Sequence, residues 1–137
     1  MLKLNLKLIT PARTLLEQPV DAVTMDTRDG QITVLANHAP LVSILKPGEL
    51  VVRDQGKETP IACSGGLIEI FANNLVILAD SAEHLSEIEL EQAEKEADKL
   101  IARLQSEEKL DITTYKTLQR QLEREAARVS VAKKWRK

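Results

Sequence analysis

From Leu2 to Asp80 the hydrophobic positions recur every second residue, and beyond Ser86 they recur every three or four. Leu2, Leu4, Leu6 and Leu8 alternate with Lys3, Asn5 and Lys7, which predicts a strand with one buried face, ended at Thr10-Pro11. Further short apolar runs stand at 20–25, 31–35, 41–45, 49–53, 59–63, 67–71 and 75–79. Pro19, Asp29-Gly30, Pro47-Gly48, Gln55-Gly56, Gly65-Gly66 and Asn73-Asn74 separate them. Strands spaced by about 8 to 12 residues leave no room for crossover helices and predict an antiparallel sandwich or barrel. Asn73-Asn74 is the expected two-residue turn of the last hairpin, because asparagine accepts positive φ readily. Gly65-Gly66 precedes a strand rather than a helix, so it reads as a bulge or a close backbone approach between sheets, not as a phosphate loop.

After Asp80 the period changes. Ser86-Glu87-Ile88-Glu89 has the spacing of a capping box, and Ala93, Ala97, Leu100 and Leu104 form one narrow stripe on a helix expected to reach Ser106. Glu107-Glu108-Lys109-Leu110 is the expected connector. Asp111 is placed to cap a second helix with the stripe Tyr115, Leu118, Leu122, Ala126 and Val129. Lys116, Arg120, Arg124 and Arg128 make a basic row along it, since a step of four residues advances only about 40° around a helix. The chain therefore reads as α+β: an amino-terminal antiparallel β-sandwich over residues 1–84, followed by a carboxy-terminal helical hairpin over residues 85–137.

Charge sharpens this division. The formal net charge is -2, yet residues 83–108 carry 3 Lys/Arg and 9 Asp/Glu, while residues 111–137 carry 8 and 3. One arm of the hairpin is acidic and the other basic. The alanine-rich stripes bury little area, and helices of this length are marginal alone in water, so the hairpin needs a partner surface. It either lies folded with its arms paired or opens and offers the basic row to an acidic surface. The plainer reading of that row is a solvated helix face.

The chain carries little that looks like chemistry. An acidic net charge and three aromatic residues, Phe71, Tyr115 and Trp135, argue against nucleic-acid binding. No apolar run approaches the roughly 20 residues of a membrane span, and the regular alternation of the amino end is unlike a signal sequence. Cys63, the sole cysteine, sits in an apolar strand and reads as a buried inert thiol. There is no phosphate-binding glycine loop ending in Lys-Ser/Thr, no metal-spaced Cys/His set, and the two histidines, His38 and His84, are far apart in the chain. The protein reads as a structural and regulatory module, not an enzyme.

The most constrained stretch runs over residues 29–48: a turn at Asp29-Gly30, a strand, a corner at Asn37-His38-Ala39-Pro40, a second apolar run and a turn at Pro47-Gly48. Asn37 tolerates left-handed backbone and Pro40 restricts Ala39, which fixes a backbone to present a surface. This string resembles the signature of the epsilon subunit of F-type ATP synthases, a glycine turn, Ile-Leu and His-Ala-Pro followed by a Pro-Gly turn. The resemblance extends through Thr10-Pro11, Ser64-Gly65-Gly66, the Leu-Ala-Asp ending at Asp80, Ala82-Glu83 and Arg128-Val-Ser-Val-Ala132. Thr33 stands where the family turn has a second glycine.

The resemblance implies a non-catalytic central-stalk subunit that couples the gamma subunit to the c-ring and turns with the rotor. It implies peripheral association, through the complex, with the cytoplasmic or stromal face of an energy-transducing membrane. By the same resemblance Arg28, Asp29, Gly30 and Gln31 meet the c-ring, and His38, Ala39, Pro40 and Leu41 meet gamma. The helices would fold on the sandwich or extend into the catalytic hexamer and inhibit ATP hydrolysis through Lys116, Arg120, Arg124 and Arg128. Some members bind regulatory ATP, and the matching positions here are Glu89, Gln92, Arg124 and Arg128; Gln92 replaces an arginine and is a neutral side chain unable to clamp a phosphate. The residues by themselves also fit a free-standing sandwich that binds a small partner and carries the helices as an oligomerisation arm.

Overall fold

A computed structural model describes residues 2–106 and 109–136, so Glu107 and Glu108 of the expected connector lie outside the described residues. Nine strands precede two helices among them: β1 (Leu4–Ile9), β2 (Thr14–Val20), β3 (Ala22–Thr27), β4 (Gly30–Leu35), β5 (Leu41–Asp54), β6 (Lys57–Cys63), β7 (Gly66–Phe71), β8 (Asn74–Ala79), β9 (Ala82–His84), α1 (Leu90–Leu104) and α2 (Ile112–Trp135). Hydrogen-bonded neighbours follow the order β2-β1-β8-β7-β5-β3-β4, with β6 joined to β5 and β9.

β5 explains why this one ladder makes two layers. Its first part, Leu41 to Leu45, pairs with β7, and its second part, Gly48 to Asp54, pairs with β6. The runs 41–45 and 49–53, expected as separate strands, are thus one strand of 14 residues. Pro47-Gly48 bends it instead of ending it. Lys46 and Pro47 fall between the two registers, where no partner strand needs the missing proline amide, and Gly48 takes φ 150° at the bend. The strand passes from one layer into the other and ties them together.

The side chains between the layers come from the alternation seen in the sequence. Leu4, Leu6 and Leu8 of β1, Ile68 and Ile70 of β7, and Leu75 and Ile77 of β8 are all buried in one cluster. β1 lies parallel to β8, whereas the other ladders are antiparallel. β2 has no counterpart among the expected strands: it is an edge strand, mostly exposed, and with Glu17, Gln18 and Pro19 it lacks a periodic apolar face. The hairpin between β7 and β8 turns one residue earlier than expected. Phe71 pairs with Asn74, and Ala72 and Asn73 take φ 51° and 64°.

Gly66 is where a backbone crosses too closely for any side chain. A Cβ there would enter the space of the Leu78 carbonyl oxygen and stand 2.8 Å from the Ala79 Cα. The glycine pair does mark a close backbone approach, but between the neighbouring strands β7 and β8 and not between sheets as expected. Beside it, Cys63 is buried, and desolvation pushes its thiol up to about 12. The thiolate is therefore scarce at neutral pH. Iodoacetamide at pH 8 should leave Cys63 unmodified in the folded protein and label it once denaturant opens the sandwich, as mass spectrometry would show.

The expected capping box at Ser86 does not form. A 3-10 turn occupies Leu85–Glu87 and α1 starts at Leu90, with Glu89 as its N-cap. Glu87 takes over the role, because its carboxylate accepts both the His84 amide at 2.9 Å and the Arg13 guanidinium at 2.8 Å. Arg13, reaching across from the β1–β2 loop, is the main reason this carboxyl is held below its ordinary range. Asp111 does cap α2, accepting from the Thr114 amide at 2.7 Å.

On α1 the expected stripe holds: Ala93 is buried, and Ala97, Leu100 and Leu104 are half-buried. On α2 it needs correction. Leu118 is buried and Leu122 and Val129 half-buried, but Tyr115 and Ala126 are exposed, and Glu125, Ala127, Val131 and Ala132 are buried instead. The reason is that α2 packs on two sides at once, against α1 and against β5 and β6. A single-stripe reading suits a helix with one neighbour.

Candidate functional site

Three surfaces carry the residues singled out in the sequence. The first is the tip of the β3–β4 hairpin. Thr27 is buried there; its hydroxyl donates to the Gly30 carbonyl at 2.7 Å and accepts from the Asp29 amide at 3.2 Å. The Arg28 amide is taken by the Ile44 carbonyl at 2.9 Å. With its backbone fixed this way, the tip holds Arg28, Asp29, Gly30 and Gln31 exposed on a rigid base.

The second surface starts at the corner after β4. Asn37 takes φ 63°, and its amide is accepted by the Asn73 side-chain oxygen at 2.8 Å. The Asn73 side-chain nitrogen in turn donates to the Lys3 carbonyl at 2.8 Å, which pins the corner to the start of β1. His38 folds its ring back so that Nδ1 lies 2.7 Å from the Ala39 carbonyl. Ala39 and Pro40 are exposed, and Leu41 turns in against the core.

This corner continues into a feature that sequence reasoning missed. The cross-strand register sets Ile44, Leu67, Leu78 and Ile9 side by side across β5, β7, β8 and β1, and all four stand on the outer face of the layer. Val42 and Val76 flank Glu69 in the neighbouring row. Val42 is 70% exposed and Leu78 48%, so a broad apolar face meets solvent while the opposite face fills the core. The signal was present: Leu67-Ile-Glu-Ile-Phe71 and Leu75-Val-Ile-Leu-Ala79 are nearly continuous apolar runs, as strands apolar on both faces must be.

The third surface is α2. Lys116, Arg120 and Arg124 are exposed. Arg128 is not like them: its side chain is only 14% exposed, its Nη1 donates to Glu125 at 2.8 Å, and its Nε lies 2.9 Å from a Glu83 carboxylate oxygen. The basic row is thus three solvated cations and one that ties α2 to β9. Arg120 and Arg124 border a shallow recess with Ser64, Asp80 and Ser81 of the sandwich. Glu89 and Gln92 lie exposed at the start of α1, and among the described residues no hydrogen bond or ion pair joins either to Arg124 or Arg128.

A family model described as ATP synthase, Delta/Epsilon chain, beta-sandwich domain matches residues 3–85. The ATP synthase epsilon chain of Maricaulis maris is 37% identical over 131 residues, covering 96% of this chain and 90% of that one. This chain belongs to the ATP synthase epsilon chains. The epsilon chain of Chloroflexus aggregans is 40% identical over 92 residues, which spans 67% of this chain and 66% of that relative. Among solved structures, a chain of the Euglena gracilis mitochondrial ATP synthase, in a cryo-EM structure of OSCP, F1 and c-ring, superposes with a TM-score of 0.75 at 29% identity. That match covers 90% of this chain and 77% of the other. A chain from the central stalk and c-ring of the Tetrahymena thermophila enzyme shares the fold, with a TM-score of 0.63 at 18% identity over 95% of this chain and 93% of that one. The structural match thus spans both the sandwich and the two helices. Among the described residues no helix is long and apolar enough to cross a membrane.

Proposed function

We propose that this chain is a non-catalytic central-stalk subunit of a proton-translocating F-type ATP synthase, coupling gamma to the c-ring and restraining ATP hydrolysis through its helices. What carries the reading is the outer face of β1, β5, β7 and β8. A small domain with a complete core does not leave such a face in water unless a partner covers it. Gamma is that partner in this reading, with Ile44, Leu67, Leu78 and Val42 as the apolar centre of the contact and His38, Ala39 and Pro40 as its rim. Arg28, Asp29, Gly30 and Gln31 on the hairpin tip meet the polar loops of the c-ring. The chain joins the membrane through these partners, on the face where the catalytic hexamer stands. The division of labour falls at residue 84, with the sandwich docking and the hairpin regulating.

A carboxylate in the apolar face should abolish docking without unfolding the sandwich, because the position is already in water. Leu67→Asp and Val42→Asp together are expected to weaken binding to purified gamma subunit by at least about 100-fold, since buried apolar anchors dominate such contacts. The circular dichroism spectrum should stay that of the wild type. Unchanged affinity in a titration would remove gamma from this face.

Regulatory ATP would have to use Glu89, Gln92, Arg124 and Arg128. Of these, Arg128 is already neutralised by Glu83 and Glu125, and Gln92 brings no charge. The reading that fits this arrangement is regulation by the position of the helices alone.

A further inference from the structure

α2 lies between the sandwich and α1, and its grip on the sandwich is concentrated in its last turns. In the first half of the helix only Leu118 is buried, and nothing there forms an ion pair with a strand among the described residues. At the end, Val131 and Ala132 pack with Ala62 of β6 and Ile88 of the linker, with Leu85, Leu90 and Trp135 around them. Glu49 of β5 then accepts from two consecutive side chains, the Trp135 indole N–H and the Lys134 ammonium, the latter at 2.9 Å. Arg136 donates its guanidinium to the carbonyls of Leu85 and Ile88, the two residues that close the 3-10 turn before α1. One carboxylate on the sandwich and two carbonyls on the linker are therefore held by three adjacent residues.

The geometry points to Lys134, Trp135 and Arg136 as a clasp that holds the hairpin on the sandwich and whose release frees α2 as a unit. Glu49 is half-buried, and Trp135 is the only indole in the sequence. A charge-assisted bond from a half-buried indole to a half-buried carboxylate is stronger than an exposed ion pair, because water competes less for both partners. Arg136 adds a second attachment on the far side of the same turn: it fixes the linker at Leu85 and Ile88, where the chain would have to swing for the hairpin to open. With the clasp undone, α2 keeps Arg128 against Glu83 as its remaining charged tie to the strands. This pair joins the middle of α2 to β9, two residues before Leu85, and leaves the last turns of the helix unheld. The clasp therefore sets how often the basic row is presented, which rests on the regulatory reading above.

Amide hydrogen exchange of the full chain, free in solution, tests the clasp apart from that reading. In Glu49→Gln/Trp135→Phe/Arg136→Gln, peptides from 125–136 and 85–90 should exchange about tenfold faster than in the wild type, since they lose the bonds that Glu49 and Arg136 make to them. Peptides from β1, β7 and β8 should keep their protection, which shows that the sandwich is intact. Equal exchange of α2 in variant and wild type would overturn the clasp. Faster exchange of α2 together with unchanged ATP hydrolysis in a complex rebuilt with the variant would keep the clasp and overturn instead the inhibitory role of the helices.

Discussion

Gly66→Ala should lower the melting temperature of the isolated chain by roughly 15–30 °C, the largest effect expected of any single methyl group in this protein. Gly66 has φ 155°, and the added carbon would press on the Leu78 carbonyl oxygen and the Ala79 Cα. Both are backbone atoms of β8, itself paired with β1 and β7, so no side chain can swing aside. Strain of the backbone and the steric conflict together cost about 4 kcal/mol, a large part of what a domain of this size has. Gly56→Ala separates the two contributions. Gly56 also has positive φ, at 78°, but a Cβ there meets nothing within 4 Å. It should cost only about 1 kcal/mol of backbone strain. Differential scanning calorimetry of both variants decides it: equal losses would mean that conformation alone, not the approach of β8, makes position 66 glycine.

The second large effect concerns hydrolysis by the assembled enzyme. A chain ending at residue 85 keeps the whole sandwich core, because every member of that core lies on a strand or its flanking residues. A complex built with it should couple proton flow normally and hydrolyse ATP several-fold faster than one with the full chain. Replacing Lys116, Arg120 and Arg124 together by alanine should reproduce most of that rise. Each solvated cation contributes at most about 1 kcal/mol to an extended state, so one changes the ratio of extended to folded hairpin by at most about fivefold, whereas three together change it by up to about 100-fold. Raising salt should mimic the triple variant through screening. Arg128→Ala is expected to behave differently, since it removes a cation from the row but also strands Glu125 and Glu83 in the folded state. If the truncated chain accelerates hydrolysis and the triple variant does not, apolar contacts hold the extended form and the row is a solvated face.

Those four residues show what the sequence could and could not convey. Their spacing put them on one flank of α2, and that much was legible from helical geometry. That Arg128 is spoken for by Glu83 depends on where α2 lands on β9, a tertiary choice with no local signature. The strands of the core were legible because burial on one face imposes alternation, as in Leu4, Leu6 and Leu8. β2 was hidden for the same reason: an edge strand with Glu17, Gln18 and Pro19 buries too little to impose a period. The bend in β5 reads as an end in the sequence, since Pro47-Gly48 carries identical local chemistry in a turn and at a strand crossing between layers. The exposed apolar face was written in the runs at 67–71 and 75–79, although a run alone does not say which of its faces is left uncovered. Glu49 and Trp135, 86 positions apart, carry no sequence hint of each other.

The parallel pairing of β1 with β8 bears on how the chain comes off the ribosome. β1 is made first, and apart from its edge partner β2 it waits for β8, synthesised nearly at the end of the sandwich, before its buried leucines have a floor. Contacts this distant in sequence must absorb the loop entropy of everything between them, which slows folding and leaves no stable half-product. The Leu-Asn-Leu-Lys-Leu segment of β1 is meanwhile an amphipathic ribbon with one free edge, the form in which nascent chains associate wrongly or recruit chaperones. The helices, emerging last, reach a sandwich that can close only once β8 has left the exit tunnel.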